Sequence, residues 1–63
     1  MKVREAVKAI EDDGWYLVAT RGDHRRYKHP TKPGKVTVAG ALNKDVPSGT
    51  LASIFRQAQL PKP

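Results

Sequence analysis

The sequence predicts an α+β chain in the order α-β-β-β-α, with a three-stranded antiparallel sheet and both helices on one of its faces. Three observations predict it. Apolar stripes at helical spacing lie near both ends, the middle of the chain is rich in branched and aromatic residues, and a Gly-Asp pair stands between two strand-like runs. A chain of 63 residues with 38% hydrophobic and 29% charged side chains has room for one small domain, read here as spanning residues 1–63. At this size only about 60% of the unfolded surface is buried, so each element has to contribute to one core.

The first helix is expected over residues 2–12. Val3, Ala6, Val7 and Ile10 fall at i, i+3, i+4 and i+7, Lys2, Glu5, Lys8 and Glu11 lie off that stripe, and Gly14 stands where a left-handed C-cap is wanted. Residues 15–21 read as a strand and residues 24–29 as its partner. Gly22-Asp23 between them is hairpin chemistry, because glycine accepts the positive φ of a primed turn. Residues 32–35 (Lys-Pro-Gly-Lys) make a further turn, residues 36–40 a third strand, and residues 41–47 an irregular segment. Ser48 is placed to cap a closing helix whose stripe is Leu51, Ile54, Phe55 and Ala58. Pro61 and Pro63 end the chain. Each helix has one stripe to bury, so both belong on the same sheet face.

A two-residue turn at Gly22-Asp23 sets Arg21 opposite His24, Ala19 opposite Arg26, Val18 opposite Tyr27 and Leu17 opposite Lys28. Side chains alternate between faces. Tyr16, Val18 and Tyr27, joined by Val36 and Val38, are then expected on the covered side. Arg21, His24, Arg26 and Lys28 are expected on the bare side, with Lys35 and Thr37 beside them. A one-residue slip of the whole hairpin would drive Arg26 and Lys28 into the core, which burial costs oppose.

Composition narrows the function classes. No cysteine is present, so disulfides, thiolate catalysis and cysteine-based zinc sites are excluded. Apolar runs are too short for a membrane span, and MKVREAVKAIEDD is too acidic for a secretory leader, so a cytoplasmic protein with no membrane role is expected. Twelve Lys and Arg against six Asp and Glu give a net charge of +6. Arg21, Arg25, Arg26, Lys28, Lys32 and Lys35 crowd residues 21–35, while Glu5, Glu11, Asp12 and Asp13 gather in and just after the first helix. That asymmetry orients a polyanion, with nucleic acid the first candidate, toward the bare sheet face. Basic residues on a short hairpin also serve simply to keep an edge soluble.

His24 has the most chemical potential, since an imidazole takes or gives a proton near neutral pH. Beside a phosphate it could accept the proton of an RNA 2′-hydroxyl as that oxygen attacks phosphorus, or protonate the departing 5′-oxygen. Arg26 and Lys28 could neutralise charge on the phosphate oxygens. The alternative is a solvated turn residue. His29 has the opposite parity and precedes Pro30, which reads as a structural or rim position. Two histidines five apart on a strand face opposite ways and Asp23 adds too few ligands, so neither a metal nor another cofactor is expected. Ser48 and Ser53 belong to the last helix and complete no Ser-His-Asp set, and no GxxxxGK phosphate loop occurs. Tyr27 is read as core by its parity. Trp15 either covers the core edge or stands exposed where a base can stack.

Four segments carry a family resemblance: the helix ending at Gly14-Trp15; Arg21-Gly22-Asp23-His24 with Arg26-Tyr27-Lys28-His29-Pro30; Gly34-Lys35-Val36-Thr37-Val38; and Gly49-Thr50-Leu51-Ala52-Ser53-Ile54-Phe55-Arg56-Gln57-Ala58. With them the chain resembles the HicA-type toxins of bacterial toxin–antitoxin modules, the small YcfA-like family. The resemblance implies a double-stranded-RNA-binding-domain-like fold. It also implies a metal-independent endoribonuclease that cleaves messenger RNA and is neutralised by a HicB-type antitoxin covering its active face.

The resemblance assigns the catalytic histidine of the family's Gly-Ser-His turn to His24. Arg26 and Lys28 are then phosphate ligands, with Arg21, Arg25 and Lys35 as further candidates for positioning the RNA backbone. Two departures stand out. Asp23 replaces the usual serine and sets a negative charge beside the imidazole. Ala39-Gly40-Ala41 stands where many members carry Pro-x-His after the third strand, so an acid or base supplied there has no counterpart. Two other classes remain: a non-catalytic RNA-binding module with the same fold, and an adaptor whose basic face meets an acidic protein.

Overall fold

The computed structural model describes residues 1–61, so Pro63 lies outside the described residues. The elements are α1 (Val3–Asp12), β1 (Tyr16–Arg21), β2 (His24–Lys28), β3 (Val36–Ala39) and α2 (Ser48–Gln57). The sheet order is β1-β2-β3, and both pairs are antiparallel. This is the expected α-β-β-β-α arrangement of a double-stranded-RNA-binding-domain-like fold.

Val3, Ala6, Val7 and Ile10 of α1 are buried, as their spacing requires. Its first turn is capped by the segment read as irregular: Val3 N–H donates to the Lys44 carbonyl (2.8 Å) and Arg4 N–H to that of Leu42 (3.0 Å). Glu5 Oε1 accepts from the Lys2 amide at 2.7 Å. The helix closes in a Schellman motif, with Gly14 N–H on the Glu11 carbonyl (2.9 Å) and Trp15 N–H on that of Ile10 (3.1 Å). Gly14 takes a φ of +109°, so the predicted left-handed position is real. The motif folds Trp15 back over Ile10, and both side chains enter the core. Trp15 is therefore a core residue, which leaves no exposed indole for a base.

α2 closes the same way, with Gln59 at φ +57° in the glycine position and Leu60 N–H on the Phe55 carbonyl at 2.9 Å. Its start corrects one expectation. Pro47 occupies the N-cap position without a side-chain hydrogen bond, and Ser48 is already the first helical residue. A capping hydroxyl needs the non-helical backbone of the N-cap, which the proline holds instead.

The core joins both helices to Tyr27, Val36 and Val38. Burial pushes the Tyr27 phenol above its ordinary pKa; the Glu11 charge adds to this and Arg25 opposes it. β1 breaks the predicted register. Arg21 faces His24 and Ala19 faces Arg26, but Leu17 faces Tyr27 and Tyr16 faces Lys28, with the shift between Leu17 and Ala19. Val18 is the extra residue of a β-bulge, which moves every residue before it to the other face. Tyr16 and Val18 are consequently not core residues. They are 50% and 45% exposed; Leu17, which shares the face of Tyr27, is still 48% exposed because the helices pack against the β3 side of the sheet and leave β1 outside. On the β3 side, by contrast, the Thr37 amide donates to Gln57 Oε1 of α2 at 3.1 Å.

Candidate functional site

The β1–β2 turn builds the site. Gly22 adopts φ +60° while Asp23 does not enter positive φ, the type II′ pattern that suits the right-handed twist of a hairpin. The turn is braced from β3. Asp23 O accepts from the Gly40 amide (3.1 Å), and Arg25 Nη1 donates to the Gly40 carbonyl (2.8 Å) and to Asp23 O (3.3 Å). His24 therefore starts a strand whose first residues are held on both sides.

His24, Arg26 and Lys28 alternate onto the sheet face that carries no helix. Arg21 lies across from His24, while Ala19 and Thr37 flank Arg26. These groups line a shallow concavity of about 520 Å³, with Thr20 and Arg25 at its rim. The His24 side chain is 65% exposed, and its Nε2 lies 3.7 Å from Asp23 Oδ1, an ion-pair distance too long for a good hydrogen bond. Asp23 thus biases the position of the ring without tying up its nitrogens.

The candidates separate by position. Arg21, His24, Arg25 and Arg26 all border the concavity. Arg25 has the opposite parity, and its guanidinium is engaged by two carbonyls, so it fixes the turn and contributes charge from the rim. Lys28 continues the row beyond the concavity, opposite Tyr16. Lys35 precedes β3 and is exposed, outside the concavity. Thr20 was missed by sequence reasoning. It pairs with Arg25 next to the turn, and the signal was there in the facing pairs. Among the described residues no three His, Cys, Asp or Glu side chains gather as a metal-ligand set, and no helix is long and apolar enough to cross a membrane.

His29 is the structural counterpart. Its ring donates from Nε2 to the Asp13 carbonyl (2.7 Å), and Nδ1 accepts from the amides of Thr31 (3.1 Å) and Lys32 (3.0 Å). This pattern defines the tautomer with the proton on Nε2. The Trp15 ring meets it edge-on at 5.2 Å. Lys32 Nζ bonds Asp13 Oδ2 at 2.6 Å and reaches the Ala58 and Gln59 carbonyls, linking the C-terminal ends of both helices. Lys32 holds the Asp13 carboxyl below its ordinary value, against the desolvation that opposes the shift. The indole Nε1 itself is buried and makes no hydrogen bond of its own.

Fold and site together describe a small basic protein that carries a free imidazole among guanidiniums on the open side of its sheet. Residues 3–60 match the family of HicA toxins of bacterial toxin–antitoxin systems, and the chain belongs to that family. No curated protein matches it.

Proposed function

We propose that this toxin is an endoribonuclease acting on messenger RNA, with His24 as its general acid/base. The observation that carries the reading is the exposed His24 ring, its nitrogens unengaged by good hydrogen bonds, set in a concavity with Arg21 and Arg26. An RNA phosphate seated there brings its neighbouring 2′-hydroxyl to the imidazole. The ring takes that proton as O2′ bonds to phosphorus, the P–O5′ bond breaks, and the leaving oxygen is protonated by the imidazolium or by water. Arg21 and Arg26 offset the charge gathering on the non-bridging oxygens. Lys28 and Lys35 hold flanking phosphates, and Arg25 adds to the local field. None of these steps requires a metal ion. The antitoxin partner, of HicB type, would act by covering this face, and the site of action would be the cytoplasm.

The test is induced expression of the wild type and of His24→Ala in a bacterium at equal protein levels. Growth arrest by the first alone is the expected outcome. Arrest by both removes His24 from its role. Intact RNA binding with no cleavage by the wild type makes the protein a binding module instead.

A further inference from the structure

We propose that Tyr16 is a stacking platform for a nucleobase of the bound RNA, an inference that rests on the reading above and extends it to substrate positioning. The bulge at Val18 is what creates the platform. Without it, Tyr16 would share the helix-covered side with Tyr27. With it, Tyr16 faces Lys28 and joins the row of His24, Arg26 and Lys28 on the bare face. The residue is half exposed.

The three exposed apolar residues of β1 do not form one patch that would suit a protein partner. Leu17 pairs with Tyr27 and so has the opposite parity, while Val18 is the unpaired bulge residue. Of the three, Tyr16 is the aromatic one, and its partner across the strands is the cation Lys28. An aromatic face next to a lysine, in line with guanidiniums, matches the alternation of base and phosphate along a single strand. From His24 to Lys28 the strand advances about 13 Å, which places Tyr16 a few nucleotides from the reacting phosphate. Stacking there holds the chain in register for His24 and tolerates any base, because every base offers a π-face.

The experiment measures binding of two uncleavable probes, a 2′-O-methyl oligoribonucleotide and a strand of equal length and charge with abasic positions. Tyr16→Ala is expected to weaken binding of the first by about 5- to 100-fold, as loss of a stacked base does, and to leave the second unchanged. Tyr16→Phe is expected to retain wild-type binding, which separates stacking from any role of the hydroxyl, and Lys28→Ala to weaken both probes alike. Equal binding of the base-bearing probe by wild type and a folded Tyr16→Ala overturns the platform alone and leaves the edge to a protein partner. Failure of the wild type to bind either probe at low salt overturns the RNA reading and the platform with it.

Discussion

His24 and His29 lie five residues apart on one hairpin, and their surroundings suit them to opposite uses. The His29 ring keeps only 9% of its side-chain surface in water, and both its nitrogens are committed to the backbone. The His24 ring keeps 65%, and the Asp23 carboxylate lies 3.7 Å from its Nε2. A catalytic imidazole has to exchange protons with a substrate, so it must have nitrogens to spare. A structural one is useful because it has none. The difference follows from strand parity and from what lies beyond each face: helix ends and Trp15 on one side, open solvent ringed by cations on the other.

Substitutions break this contrast in a definite order. Replacing His24 by alanine should lower RNA cleavage by about 10²–10⁴-fold, the usual worth of a general acid/base. The same change should leave the urea unfolding free energy within about 0.5 kcal/mol, because the side chain is a surface one. His29→Ala should do the reverse. Losing its hydrogen bonds and its contact with Trp15, and leaving two amides short of an acceptor, should cost about 2–4 kcal/mol in urea unfolding. Cleavage per folded molecule should then be nearly unchanged.

Gly14→Ala tests how closely the second histidine is held. An added Cβ would sit 2.7 Å from His29 Nε2, on a backbone at φ +109° that L residues rarely adopt. A loss of about 1–3 kcal/mol is expected in the same measurement, from positive-φ strain together with displacement of the ring.

The smallest effect concerns the Lys32–Asp13 link beneath His29. The folded Asp13 carboxyl titrates below its ordinary value of 3.8. Its contribution to stability is therefore fully present above the unfolded pKa and is lost as the pH falls through the lowered folded one. Lys32→Met should remove that contribution at neutral pH and so flatten the part of the acid decline that begins below about pH 5 and runs through the lowered folded pKa. Unfolding curves recorded across that range check it.

Much of this was legible in the sequence. Helical spacing identified the buried stripe of α1 and, with Leu51 only partly buried, that of α2, and Gly22-Asp23 identified the hairpin and the facing of Arg21 and His24, so the bare cationic face followed from alternation alone. The parity argument also separated His29 from His24 and placed Tyr27 in the core. The bulge was not legible. Val18 is a good strand residue in either register, and the extra residue shows only when Tyr27 is seen to pair with Leu17. Strict alternation therefore carried Tyr16 and Val18 into the core. Nor could local pattern tell that the helices cover β2 and β3 but stop short of β1, since that depends on how two short helices share a three-stranded sheet. Ser48 failed as a cap for a simpler reason: a proline before it already held the N-cap geometry. The role proposed for His24 comes from the family resemblance, and the structure shows the company it keeps.

In the proposed reaction, the imidazole at position 24 moves the proton during RNA cleavage. The most direct test is cleavage of a defined RNA by purified His24→Ala in the presence of a chelator, with and without added imidazole. An inactive variant whose cleavage is partly restored by imidazole in proportion to its concentration is the expected result. A folded variant that cuts at the wild-type rate with no imidazole present would contradict it.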